Sequence, residues 1–302
     1  MPKKSTNLEL LLEYIESVQD KISEQTRKTY TQISKSLPFN VLTTQPTIIK
    51  KLNSLYENPN TKSLYLNMII LLRRKNNQPT DKLIKFRNSL RDVIIQTRKN
   101  KMTEIKDKLP SYSSIILKLK ELKGLEYIIN YLLINFGFRN KDLNLKYVSK
   151  VPESKEDENY LIHKKNKVML NINDYKTDKS FGEKNIIIED KKFKEELKSL
   201  KLNENDYLMS KKNGEKLKSS SLGEKVMKLS INNLGEAKMF KILIGHLLDT
   251  KDFNKIEELV KSRGTSMSTI LKSYNIYSNN DKNSDDKVKE IKEDMKEETQ
   301  EN

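Results

Sequence analysis

Apolar residues return every three or four positions along most of this 302-residue chain, a rhythm that builds helices and leaves little room for strands. The first stretch sets the pattern. Between 7 and 36 it runs through Leu8, Leu10, Leu11, Leu12, Tyr14, Ile15, Val18 and Ile22, then Tyr30 and Ile33 on a second helix. Pro38 and Pro46 interrupt it, and Ile48, Ile49, Leu52, Leu55 and Tyr56 resume it. The turn signal Asn58, Pro59, Asn60 precedes a face of Leu64, Tyr65, Met68, Ile69 and Leu72, and residues 80 to 106 carry a further helical pattern. These segments predict a bundle of four or five helices with no strand.

Pro110 marks the linker to a second domain. There, residues 113 to 137 read as a strongly apolar helix through Ile115, Leu119, Ile128, Ile129, Leu132, Leu133 and Phe136. Two short runs then change period. KVMLNIN (167 to 173) and NIIIE (185 to 189) are strand candidates, separated by a polar turn that contains Gly182. Helical patterns return at 220 to 229, Val226 to Leu248 and Asn254 to Lys261. The expected fold class is mainly α with a small β-sheet, an α+β chain. Domain boundaries are expected at 1–106 and 107–277, followed by an acidic tail, 278–302, too polar to bury a core.

That tail holds nine acids and five lysines, so the formal charge of +16 becomes +20 on residues 1–277. Such an excess favours a polyanionic partner, because each phosphate neutralised by Lys or Arg releases counterions. Basic clusters recur on the helical bundle at Arg73, Arg74 and Lys75, at Lys82, Lys85 and Arg87, and at Arg98, Lys99 and Lys101. They suit a clamp on duplex phosphates, and equally the solvated faces of a lysine-rich helical protein. The chain has no cysteine, which excludes disulfides and thiolate metal sites. No run of eighteen apolar residues and no secretory signal is present, so an intracellular, membrane-free protein is expected.

Three segments concentrate chemistry: GFRNKDLNL (137 to 145), NDYKTDKSFGEK (173 to 184) and RGTSMSTILKSYNIY (263 to 277). Each is ordinary alone, since a tyrosine on an amphipathic helix is usually a packing residue. In this order they resemble the catalytic domain of the tyrosine recombinases, also called phage-type integrases. Phosphodiester exchange by that family needs a nucleophile, cations around the pentacoordinate phosphorane and an acid for the departing 5′ oxygen.

The resemblance implies that Arg139 grips the scissile phosphate with its fork-shaped guanidinium. It implies that Lys176, with Thr177 beside it, is the hairpin lysine that acts as general acid, with Lys179 as competitor. Tyr274 becomes the nucleophile in preference to Tyr277, because it stands ten residues after Gly264. Two departures are plain. Where the family has a histidine and, three residues later, its second arginine, LGEAKMFKILIGHLL (234 to 248) offers Lys238 and Lys241. An alternative register, set on HLL at 246 to 248, puts Phe240 at the arginine position. Where the family reads Gly-His-Ser, this chain reads Gly264, Thr265, Ser266, and a threonine donates a hydrogen bond without shuttling a proton near neutrality. His246 itself reads as a core group on an apolar helix.

The expected activity is DNA cleavage and rejoining through a 3′-phosphotyrosine, for site-specific recombination or integration. The resemblance implies double-stranded DNA as partner, a homo-tetramer on paired sites, no cofactor, no small-molecule substrate and a viral or mobile-element source. It would act wherever its target DNA lies: host nucleus, cytoplasm or viral factory. Three rivals stay open: a type IB topoisomerase-like activity, a catalytically degenerate DNA-binding relative, and a lysine-rich structural or virion protein.

Overall fold

A computed structural model describes residues 6–18, 22–106, 108–150, 158–175 and 182–274, except the side chains of 98, 99, 101–103, 105, 106 and 271–274. The chain divides into two compact units, Met1–Ile105 and Lys106–Asn302. The acidic tail at 278–302 lies outside the described residues.

The first unit is helical: α1 (Asn7–Val18), α2 (Glu24–Ser36), α3 (Gln45–Leu55), α4 (Pro59–Lys75) and α5 (Asp81–Lys106). Local signals start these helices. The Ser23 hydroxyl accepts from the Thr26 N–H, and the Asn58 side chain accepts from the Asn60 N–H, with Pro59 in the first turn where its missing N–H costs nothing. Leu11, Ile48, Leu52, Leu66, Met68, Ile69, Leu72 and Leu83 are wholly buried in one cluster. Burying each of them stabilises the fold by about 1.5–3 kcal/mol. Arg73, the first of the basic residues ending α4, is 2% exposed. Its guanidinium donates to the carbonyls of Pro79, Val41 and Thr43, so it fastens loops and is withdrawn from the basic rim.

The second unit opens with α6 (Tyr112–Glu121) and α7 (Gly124–Phe136), then a 3-10 helix (Asn140–Leu143). The single expected helix at 113–137 is thus two. Leu122 and Lys123 are extended and Gly124 takes φ +53°, a conformation glycine adopts without steric cost. Four strands follow, β1 (Leu145–Val148), β2 (Asn159–Lys164), β3 (Lys167–Ile172) and β4 (Lys184–Ile188), in the spatial order β1-β2-β3-β4. β1 pairs parallel to β2, and the other two pairings are antiparallel. β3 and β4 correspond to the two expected strand runs, whereas β1 and β2 went unread. Asn159 to Ile162 are buried one after another, so β2 lacks the alternation that marks a half-exposed strand.

The rest is helical: α8 (Lys191–Ser199), α9 (Ser219–Leu229), a 3-10 turn (Ile231–Asn233), α10 (Gly235–Asp249), α11 (Phe253–Arg263) and α12 (Met267–Tyr274). The expected helix from Val226 to Leu248 is broken where Asn232, Asn233 and Gly235 all take positive φ. Buried Asn130 of α7 holds the break, donating to the Leu229 carbonyl and accepting from the Ile231 N–H. The main core joins Ile128, Ile129, Leu132 and Leu133 of α7 to Leu145, Leu161, Leu170 and Ile172 of the sheet. A smaller core joins Phe240, Leu243, Ile244 and Leu247 of α10 to Ile256 and Leu259 of α11 and Ile270 of α12. The chain is therefore mainly α with a small mixed sheet, as its periodicities predict. No described helix is long and apolar enough to cross a membrane.

Candidate functional site

Gly137 ends α7 in the left-handed conformation, φ +60°, and turns the chain into the loop that carries Arg139. Space as well as φ demands glycine here, since a Cβ would stand 2.6 Å from Cε2 of Phe240. The Arg139 N–H donates to Asp142 Oδ2 at 2.9 Å, which starts the 3-10 helix. Asp142 is 3% exposed, and its Oδ1 has no hydrogen-bond partner among the described residues. Burial pushes its carboxyl above the usual carboxylate range, against the pull of Arg139, Lys184 and Arg263 nearby.

Arg139 reaches across to the carboxyl end of α11. Its Nη1 donates to the Arg263 carbonyl at 2.5 Å. Lys184, which opens β4, donates from Nζ to the neighbouring Ser262 carbonyl at 2.6 Å while lying 3.5 Å from the centre of the Tyr175 ring. Two cations thus gather where a helix leaves its last carbonyls unsatisfied and its dipole is negative. Burial pushes the Lys184 ammonium down to about 8; Asp142 pulls it up and Arg139 lowers it further.

Arg263 completes the cluster from within. It is 1% exposed, with its guanidinium carbon 3.9 Å from the centre of the Phe240 ring. Nη1 donates to the Gly137 carbonyl at 2.5 Å and Nη2 pairs with Glu236 Oε1 at 2.6 Å. Glu236 also accepts from the Asn140 N–H through Oε2. The face that α10 turns to the Arg139 loop therefore carries Glu236 and Phe240, one turn apart. On the same helix Lys238 is exposed and Lys241 half-buried.

Gly264 closes α11 in the left-handed conformation, φ +56°. Thr265 follows, partly exposed, its N–H donating to the Val260 carbonyl. The Ser266 hydroxyl then accepts from the Thr269 N–H and starts α12. Tyr274 is the last residue of α12, and its side chain lies outside the described residues. Lys176, Thr177 and Lys179 lie outside them too.

The second motif is anchored beside the first. Asn159, 1% exposed, donates to the carbonyls of Lys141 and Asp174 and accepts the N–H groups of Asn173 and Asp174. Lys141 also pairs with Asp174. The start of NDYKTDKSFGEK is thereby tied to the 3-10 helix after Arg139, and its last residue, Lys184, rejoins the cluster. Lys184 escaped sequence reasoning, as did the tight β2–β3 hairpin, whose tip exposes Lys164 and Lys165. The signal for that hairpin was the tight polar HKKNK between apolar runs. His246 stacks on Tyr112, ring centres 4.1 Å apart and planes 10° from parallel, which accounts for it as a packing group.

No protein-family model matches the chain, and no curated protein matches it. Among solved structures, a crystal structure of XerA recombinase is similar over 94% of this chain and 97% of that one, at 14% identity and a TM-score of 0.31. A likeness that loose carries no inference about chemistry.

Proposed function

We propose that this chain is a tyrosine recombinase, cleaving and rejoining duplex DNA through a 3′-phosphotyrosine on Tyr274. The observation that carries the reading is the hydrogen bond from Arg139 to the Arg263 carbonyl, which joins segments 124 residues apart. It unites the two motifs the mechanism needs: the arginine that grips the phosphate and the root of the helix that ends at Tyr274. In the proposed reaction the phenolate attacks phosphorus, the P–O5′ bond breaks, and a general acid, Lys176 in this reading, delivers a proton to the departing oxygen. Arg139, with Lys241 and Thr265, offsets the charge that builds on the non-bridging oxygens, while the exposed Lys238 lies on the side of α10 opposite Glu236 and Phe240. The covalent link conserves the bond energy, and a 5′ hydroxyl from a second strand reverses the step. Four copies on paired sites are the assembly proposed for that exchange.

The test is a nicked duplex that loses its cleaved end and so traps the adduct. A covalent protein and DNA species is expected with the native chain and with Tyr277→Phe, and is expected to vanish in Tyr274→Phe. An adduct that survives in Tyr274→Phe overturns the assignment.

One observation favours a second reading, a duplex-binding relative that does not cut. The face of α10 toward Arg139 holds an acid and a phenylalanine where a cation is needed. On that reading the native chain binds duplex DNA with a steep salt dependence and yields no adduct on any substrate.

A further inference from the structure

Resting on the recombinase reading, we infer that Arg263 is a positioning residue whose buried guanidinium locks the Arg139 loop to the root of α12. It does not itself touch DNA. At 1% exposure it has no surface to present, and both Nη atoms are engaged, with the Gly137 carbonyl and with Glu236.

The contacts are crossed. Arg263 donates to the main chain just before Arg139, and Arg139 donates to the main chain of Arg263. Neither loop can slide without breaking a charge-assisted bond made by the other. Below them the Phe240 ring takes the guanidinium on its face and leaves no room for a side chain at Gly137. Phe240 also shares an apolar cluster with Ile270 of α12, so the platform beneath the arginines is continuous with the tyrosine-bearing helix. Glu236 adds a third tie by holding the Asn140 N–H and the Arg263 guanidinium together.

Stability alone does not account for an arginine here. A buried ion pair costs desolvation that an apolar side chain of similar volume avoids, and such replacements are often neutral or stabilising. What the guanidinium adds is direction: a planar fork fixes two partners at once, and a leucine fixes none.

The test uses the full chain with Arg263→Met, which keeps bulk without charge, and Arg263→Lys, which keeps the charge and the Glu236 pair but not the fork. Amide hydrogen exchange is expected to speed up about tenfold or more at 137–143 and 267–274 in Arg263→Met, less in Arg263→Lys, with the remaining helices unchanged. Cleavage of the nicked duplex at saturating DNA is expected to fall about tenfold, with affinity for the duplex within about threefold of native. In an Arg139→Lys background the same change should cost little more, because Arg263 acts through that loop. Unaltered exchange at 137–143, exchange raised throughout the unit, or losses that multiply with those of Arg139→Lys would each overturn the inference. If the native chain forms no adduct, the recombinase reading fails, and the exchange result still decides for or against the lock.

Discussion

Gly137 and Lys184 give the site its sharpest residue-level tests. Gly137→Ala must adopt φ +60° and push its Cβ against Phe240, so a destabilisation of about 1–3 kcal/mol is expected in urea unfolding, with the second unit affected first. Lys184 supplies a pH test. Its ammonium titrates near 8 in the fold and near the ordinary 10.5 when unfolded. Below about pH 8 both states hold the proton and the burial penalty is felt in full. Between those values only the unfolded chain keeps it, so native stability gains as pH rises through the window. Asp142, Arg139, Tyr175 and the Ser262 carbonyl face the ammonium. Unfolding of the native chain and of Lys184→Met at pH 7.5 and 9.5 should move in favour of the native chain at the higher pH; a constant difference would show that the amine titrates normally.

At the level of elements, the sheet presents its cations through a tight turn. Lys164 pairs with Lys167 across the β2–β3 hairpin, and Lys165 occupies the turn with φ +56°. All three side chains are exposed, so under the proposed function the tip is free to meet a duplex backbone. Replacing Lys164 and Lys165 by alanine should lower duplex affinity alike for all sequences. The slope of log affinity against log salt should fall by about one for each phosphate the hairpin no longer neutralises. An unchanged slope would place the hairpin away from the DNA. α11 acts in the opposite sense: its last carbonyls gather cations inward, holding Arg139 and Lys184.

For the molecule as a whole, the charge of +16 hides an uneven distribution. Arg73 and Arg263, which composition counts as surface cations, are buried and spend their donors on carbonyls and a carboxylate. Helices were legible because a 3.6-residue period needs only neighbours in the chain, as Leu66, Ile69 and Leu72 of α4 illustrate. The break at Asn232 went unread although Asn232, Asn233 and Gly235 are local turn formers, and Asn130, about a hundred residues away, fastens it. β2 was hidden because burial on both faces erases alternation. Of the candidate site, Arg139 could be singled out from residue types, whereas Tyr274 was expected from its spacing to Gly264 and its side chain lies outside the described residues. Lys184 and Arg263 gained their roles only when α11 brought its carboxyl end to the Gly137 turn. By itself the chain determined most of its helices, the strands β3 and β4 and its basic character, all written in local period and composition; the other two strands, and which cations are surface and which are clamps, were decided by long-range packing, because burial is a property of neighbours that sequence order does not contain.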